Sequence, residues 1–232
     1  MGLRTLALLC SLVGCAPAEP RARREEPRPF DARKLRDTPN EHAAAAPAPA
    51  RLLDDARIDW NLNPVMKKLG AISASLTESE YQYGLSVNEK RGIYRFDCSG
   101  MVHWVLRKSA PRAAWTAAHG LPQRPLARDF QRRLARAPLD RERGGWRRLA
   151  RVDELRPGDV VAWLKPVEIE SPNTGHVAFV LLPPVLAPGY ENAYLVRIAD
   201  STRLHHDEDT RVGRNGFGFG TILLVSDPVT GA

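Results

Sequence analysis

The segment Phe96-Asp97-Cys98-Ser99-Gly100 sets a thiol directly after a helix-capping residue and ahead of the apolar run Met101-Val102-His103-Trp104-Val105-Leu106. Aspartate accepts hydrogen bonds from the first backbone N–H groups of a helix, so this spacing predicts that Cys98 opens a central, buried helix. Unpaired N–H groups and the helix dipole at such an end favour a thiolate, the form in which cysteine attacks a carbonyl. A thiol nucleophile needs a base, and the base needs a group that orients it. His176 follows Asn173-Thr174-Gly175 and opens the run Val177-Ala178-Phe179-Val180, where a strand begins and loops gather. His103 is five residues past Cys98, more than a helical turn away, and His42 sits in a Pro/Ala-rich stretch. The competing reading makes Cys98 an inert, small buried hydrophobe.

Hairpin geometry selects the orienting group. If a strand from His176 to Leu182 is followed by an antiparallel strand from Ala193, the end of the second lies against the start of the first. That end is Asp200, whose carboxylate would fix one imidazole nitrogen and leave the other facing the thiol. A plain turn residue opening Asp200-Ser201-Thr202 is the alternative. The cluster His205-His206-Asp207-Glu208-Asp209 lacks the helical spacing of a metal motif, and consecutive residues of an extended chain point to opposite sides. It reads as a solvated loop, with Arg211 available to pair with it, and no metal or cofactor is expected.

Elements to carry these residues are visible in the pattern. Ile58 to Gly70 reads as a short helix with a glycine stop, and Leu126, Phe130 and Leu134 at i, i+4 and i+8 read as an amphipathic helix over 125–136. Four strands follow, at 160–164 behind the turn Arg156-Pro157-Gly158-Asp159, then at 176–182, 193–199 and 221–225. Helices first and strands second predict an α+β domain with helices packed on an antiparallel sheet.

The N-terminus is of another kind. Met1 to Gly14 has a basic start and an apolar run shorter than the ~20 residues that span a bilayer, as a secretory signal does. Leu12-Val13-Gly14-Cys15 resembles the lipobox of bacterial lipoproteins, which implies removal of residues 1–14 and lipidation of Cys15. Of the three cysteines, Cys10 would leave with the signal and Cys15 would carry lipid. Cys98 would then be the only free thiol, which excludes a disulfide scaffold. Residues 15–51, rich in Pro, Ala, Arg and Glu, read as a tether that reaches about 120 Å at full stretch. Residues 52–232 are left as one domain.

The formal charge of +7 is unevenly spread: from His103 to Arg151 there are 13 Lys or Arg against 3 Asp or Glu. Such a balance suits an anionic envelope surface or a merely solvated arginine-rich face. No nucleic-acid motif is present and none is expected as a partner.

Phe96-Asp97-Cys98-Ser99-Gly100, Leu155-Arg156-Pro157-Gly158-Asp159-Val160-Val161 and Gly175-His176-Val177-Ala178, in that order, resemble the NlpC/P60 family of papain-like cysteine peptidases of the bacterial cell wall. The resemblance covers about residues 81–201, with Tyr83-Gly84 similar to the family's aromatic-Gly element. It implies a papain-like core, Cys98 as nucleophile, His176 as base and a polar third residue, here Asp200. Tyr83 and Ser99 are the implied substrate contacts, and peptidoglycan stem peptides the implied substrate. Two departures stand out. The interval from His176 to Asp200 is 24 residues, about twice that usual in the family, and Ala113-Ala114 follow Pro111-Arg112 where small polar residues are common. These resemblances imply a lipid-anchored cysteine hydrolase of the cell envelope. Ala16, in place of the aspartate that commonly retains lipoproteins at the inner membrane, implies by resemblance to Gram-negative sorting the periplasmic face of the outer membrane. The rivals of that hydrolase are a non-catalytic envelope-binding lipoprotein of the same fold and a metal hydrolase built on His205 and His206.

Overall fold

Cys98 does open a helix, and that helix is the centre of the domain. The computed structural model describes residues 3–7 and 53–227. Cys15, His42 and the expected tether lie outside the described residues. Four helices, α1 (Pro64–Ser75), α2 (Cys98–Ser109), α3 (Pro111–Ala118) and α4 (Ala127–Ala135), accompany ten strands. Strands β2 (Glu78–Glu80), β3 (Ser86–Asn88) and β4 (Ile93–Arg95) form a small sheet just ahead of α2. The main sheet runs β10 (Gly216–Val225), β9 (Ala193–Thr202), β7 (Gly175–Val180), β6 (Val160–Leu164), β1 (Leu3–Ala7), β5 (Trp146–Leu149), with β8 (Val185–Leu186) beside β9. Pairs β10/β9, β9/β7 and β7/β6 are antiparallel, as the sequence pattern predicts. The α+β class holds. The sheet is mixed, however, because β1 lies parallel to both β5 and β6.

Leu3–Ala7 belongs to the segment expected to leave as a signal, and its two fates exclude one another. Cleavage ahead of Cys15 would remove β1 and leave β5 and β6 without the strand that joins them.

The first helix differs from expectation at both ends. It starts at Pro64, whose missing N–H costs nothing at that position, behind an Asn63 side chain that accepts from Met66 N at 3.0 Å. It also runs through Gly70, where a side chain would meet the Trp60 ring at 2.9 Å. The glycine is there for close packing and does not stop the helix. In α4, Phe130 and Leu134 are buried as predicted, while Leu126 is the residue before the helix and only half-buried.

The sheet presents two apolar faces. Val177, Phe179, Ala199, Phe217 and Phe219 pack with α1 and α2, and Ala178, Val180, Val196 and Ile198 form a second cluster with Val161 and Leu155. The Pro-Gly-Asp turn sets the entry into β6. Gly158 adopts φ +93°, its N–H donates to Val180 O at 2.8 Å, and the Asp159 carboxylate accepts from Arg156 N at 2.8 Å. That turn is also tied to the first helix, since Asn63 Nδ2 donates to Pro157 O at 2.9 Å.

Candidate active site

Asp97 caps α2, its side chain accepting from Gly100 N at 2.6 Å, so Cys98 occupies the first helical position. The cysteine is reduced and 4% exposed. Asp97 is itself held by Arg124, whose guanidinium pairs with Oδ2 and also donates to Ser99 Oγ and to Tyr83 O, each at 2.7 Å. The start of the helix, the loop ahead of it and a residue 27 positions later thus form one network.

This network corrects one expected contact. Ser99 is 2% exposed, donates to Asp97 Oδ1 at 3.1 Å and accepts from Arg124, so its hydroxyl is engaged inside the protein and does not face a substrate. Tyr83 is 59% exposed and packs edge-on against Tyr81, ring centres 6.1 Å apart. Sequence reasoning passed over Tyr81, whose backbone N–H donates to Asn215 Oδ1 at 2.6 Å. Burial, then the negative charges of Cys98 and Asp97, raise its phenol well above the usual tyrosine range. His103 lies elsewhere, in a groove with Arg107 and Trp115, where burial and the charges of Arg107 and Arg124 lower its pKa.

The β7/β9 ladder pairs Phe179 with Ala199 and Val180 with Ile198. Just beyond it, His176 Nε2 meets Asp200 Oδ2 at 2.6 Å. A carboxylate only accepts, so Nε2 carries a hydrogen, and Nδ1 is the nitrogen left free to face Cys98, whose charge bears on the imidazole. The structure thus brings together Cys98, which bears on the imidazole, His176, and Asp200, which holds its Nε2: the residue types that a nucleophile, a base and an orienting group require. Burial disfavours the charged imidazole, but the charge of Cys98 and the hydrogen bond to Asp200 outweigh it and push His176 up to about 10. Asp200 is fully buried. Burial works against its ionised form, yet hydrogen bonds from His176 and His206 and the charge of Arg211 hold it well below the usual carboxylate range.

The His205–Asp209 cluster is only in part the solvated loop expected, because His206 and Asp209 turn inward. His206 Nε2 lies 2.8 Å from Asp200 Oδ2, and Arg211 Nη1 lies 2.6 Å from Asp200 Oδ1. Arg211, 3% exposed, also pairs with Asp209 Oδ2 at 2.7 Å. His205, Asp207 and Glu208 remain outward, the His205 ring contacting Arg214 O at 2.8 Å.

The reason lies in the next strand, which reads Gly216-Phe217-Gly218-Phe219-Gly220. Its two phenylalanines enter the core, and its three glycines leave the opposite face bare. A Cβ at Gly218 would come 2.5 Å from Arg211 Cγ, and one at Gly220 would come 2.6 Å from His206 Cβ. A loop can press onto that strand only where no side chains stand. Alternating glycines inside a strand are a sequence signal of such close approach, and they were the available clue to His206 and Arg211.

His176, Asp200 and His206 also offer three metal-ligand atoms within 4.8 Å of one another. Their N–O separations of 2.6 and 2.8 Å are those of hydrogen bonds. A bound ion would have to displace both Nε2 protons and widen the cluster. Among the described residues, no helix is long and apolar enough to cross a membrane.

No protein-family profile matches the chain, and no solved structure does. The chain is 29% identical over 181 residues, 67% of its own length and 77% of the relative's, to the uncharacterized protein R653 of Acanthamoeba polyphaga mimivirus.

Proposed function

We propose that this protein is a cysteine hydrolase with a papain-like NlpC/P60 core that cleaves a peptide or amide bond in peptidoglycan stem peptides, held at the bacterial envelope by a lipid on Cys15. The observation that carries the reading is the series Cys98, His176, Asp200: a thiol at the capped start of a buried helix, and an imidazole that feels its charge and is held through Nε2 by a buried carboxylate at 2.6 Å.

The chemistry follows from that series. The Cys98 thiolate adds to the carbonyl carbon, and charge accumulates on the carbonyl oxygen. Of the N–H groups in the first turn, Gly100's goes to the Asp97 carboxylate and Met101's to the Asp97 carbonyl. Those of Cys98 and Ser99 have no partner within the helix and are the donors for the oxyanion. As the C–N bond breaks, His176 gives its Nδ1 proton to the departing amine, and a thioester to Cys98 remains. The neutral imidazole then takes a proton from water, hydroxide adds to the thioester carbon, and the carboxylic acid leaves as the thiolate reforms. Throughout, Asp200 holds Nε2–H and the imidazolium charge.

Incubation of the purified protein with peptidoglycan, followed by mass analysis of the released fragments, tests the reading. Wild type is expected to release peptide fragments, and Cys98→Ser, with an unactivated hydroxyl of similar size, to release none while keeping its fold. Equal release by both proteins, or none by either, would overturn it.

A further inference from the structure

We propose that His206 is a positioning residue for this reaction, fixing the carboxylate of Asp200 so that His176 presents its other nitrogen to Cys98. The inference rests on the cysteine-hydrolase reading above.

Asp200 lies near the end of β9, and its carboxylate turns about a soft, two-fold torsion. Arg211 alone holds only Oδ1, at 2.6 Å, and leaves rotation about that contact open. His206 removes the freedom. Its Nε2 reaches Oδ2 at 2.8 Å, on the same oxygen that His176 uses at 2.6 Å, with the two rings edge to face and 6.0 Å apart. Because the shared oxygen can only accept, both imidazoles must carry their hydrogen on Nε2. The tautomer of His176 is therefore set by a site that two histidines define together.

His206 is in turn rigidly held. Its backbone N–H donates to Asp209 Oδ2 at 2.9 Å, Asp209 is paired with Arg211, and Thr221 N donates to Asp207 O at 2.7 Å. The ring lies over Gly220, where no side chain competes with it. One loop thus contributes both a guanidinium for one oxygen of Asp200 and a ring N–H donor for the other. The groups acting on His176 are Cys98 from α2, Asp200 from β9 and His206 through their shared oxygen. The Trp163 ring of β6 packs against it at 5.0 Å. Arg211 acts on it only through Asp200.

A residue that merely closes the loop would affect stability; a residue that positions Asp200 must also affect the protonation of His176. Two variants separate these. His206→Leu keeps comparable bulk without a donor, and His206→Gln keeps an amide N–H near the place of Nε2. The leucine variant is expected to lower kcat by about tenfold or more with KM changed by less than about twofold. Its alkaline limb should move down by about one pH unit, because a freed Asp200 supports the imidazolium less. The glutamine variant should recover to within about threefold of wild type. Should the leucine variant not fold, His206→Asn, whose amide falls short of Asp200, takes its place.

Imidazole 15N titration of His176 in the intact protein gives the same comparison without any substrate. A downward shift in the leucine variant that glutamine restores supports positioning even if peptidoglycan is never cleaved, so the two readings fail separately. Unchanged kcat and an unchanged His176 titration in a leucine variant of an active enzyme would overturn the inference. So would equal losses in both variants that follow melting temperature alone.

Discussion

Asp200 Oδ1 lies 2.6 Å from Arg211 Nη1, and neither side chain is more than 2% exposed. The carboxylate that holds His176 Nε2 is thus also one partner of a buried ion pair, with Asp209 as the second partner of the same guanidinium. Removing Asp200 therefore does two things. Replacement by alanine is expected to lower turnover by about 10² or more, through loss of the fixed tautomer and of support for the imidazolium. It should also destabilise the fold by about 3 kcal/mol, because an arginine left short of a partner in a buried place is costly. His176→Ala, measured beside it by steady-state kinetics and thermal melting, should abolish turnover at a much smaller cost in melting temperature. An Asp200→Ala protein that melts like wild type would show that Asp209 alone satisfies Arg211.

The pH dependence follows from His176. Its folded pKa, about 10, lies above the ordinary histidine value of about 6.5. A group raised on folding contributes stability that is fully present below the unfolded value and is lost as pH rises through the folded one. Melting temperature should therefore fall between about pH 6.5 and about pH 10 by a component that His176→Gln lacks. Rates of kcat/KM should hold from neutral pH and decline on the alkaline side as the imidazolium is lost. Cys98→Ser removes one of the groups that raise His176, so NMR of His176 in that variant should show titration at lower pH than in wild type.

The bare face of β10 makes a separate prediction. Gly220→Ala sets a methyl carbon against His206 Cβ, with only 2.6 Å between the ideal positions, so the loop must lift. Turnover should drop by about tenfold or more, through displacement of His206 from Asp200. Near-wild-type turnover, checked with the peptidoglycan assay, would mean that the loop absorbs the methyl without moving His206.

Intact-mass analysis of the membrane fraction decides the fate of Leu3–Ala7. If residues 1–14 are removed and Cys15 is acylated, the mature mass should correspond to a chain starting at residue 15 plus lipid. Cys15→Ser should then leave an unacylated protein that no longer partitions with membranes. A full-length, unmodified mass would instead assign Leu3–Ala7 to its place between β5 and β6.

The hydrogen-bond distances around Asp200 predict indifference to chelators. Turnover should survive EDTA, and the purified protein should carry less than one equivalent of zinc. Loss of activity on chelation, restored by zinc, would reassign His176, Asp200 and His206 as a metal centre.

What the sequence determined by itself was local or followed from a simple pairing rule. Asp97 caps the helix that Cys98 opens because capping involves only the next three residues. The strands of β6, β7 and β9 follow from their apolar runs. Antiparallel return alone brings Asp200 to His176, across an interval of 24 residues. What only the tertiary structure decided were contacts made by residues with no periodicity to reveal them. Ser99 turns inward because Arg124, 25 residues away, folds back over the start of α2. Gly70 packs against Trp60 where it had the look of a helix stop. His206 and Arg211 sit in a run of polar residues that taken alone is solvated, and become half-buried and buried because a strand further along the chain has shed its side chains to admit them. Burial of a charged loop depends on the surface it meets, and that surface exists only once β9 and β10 have paired.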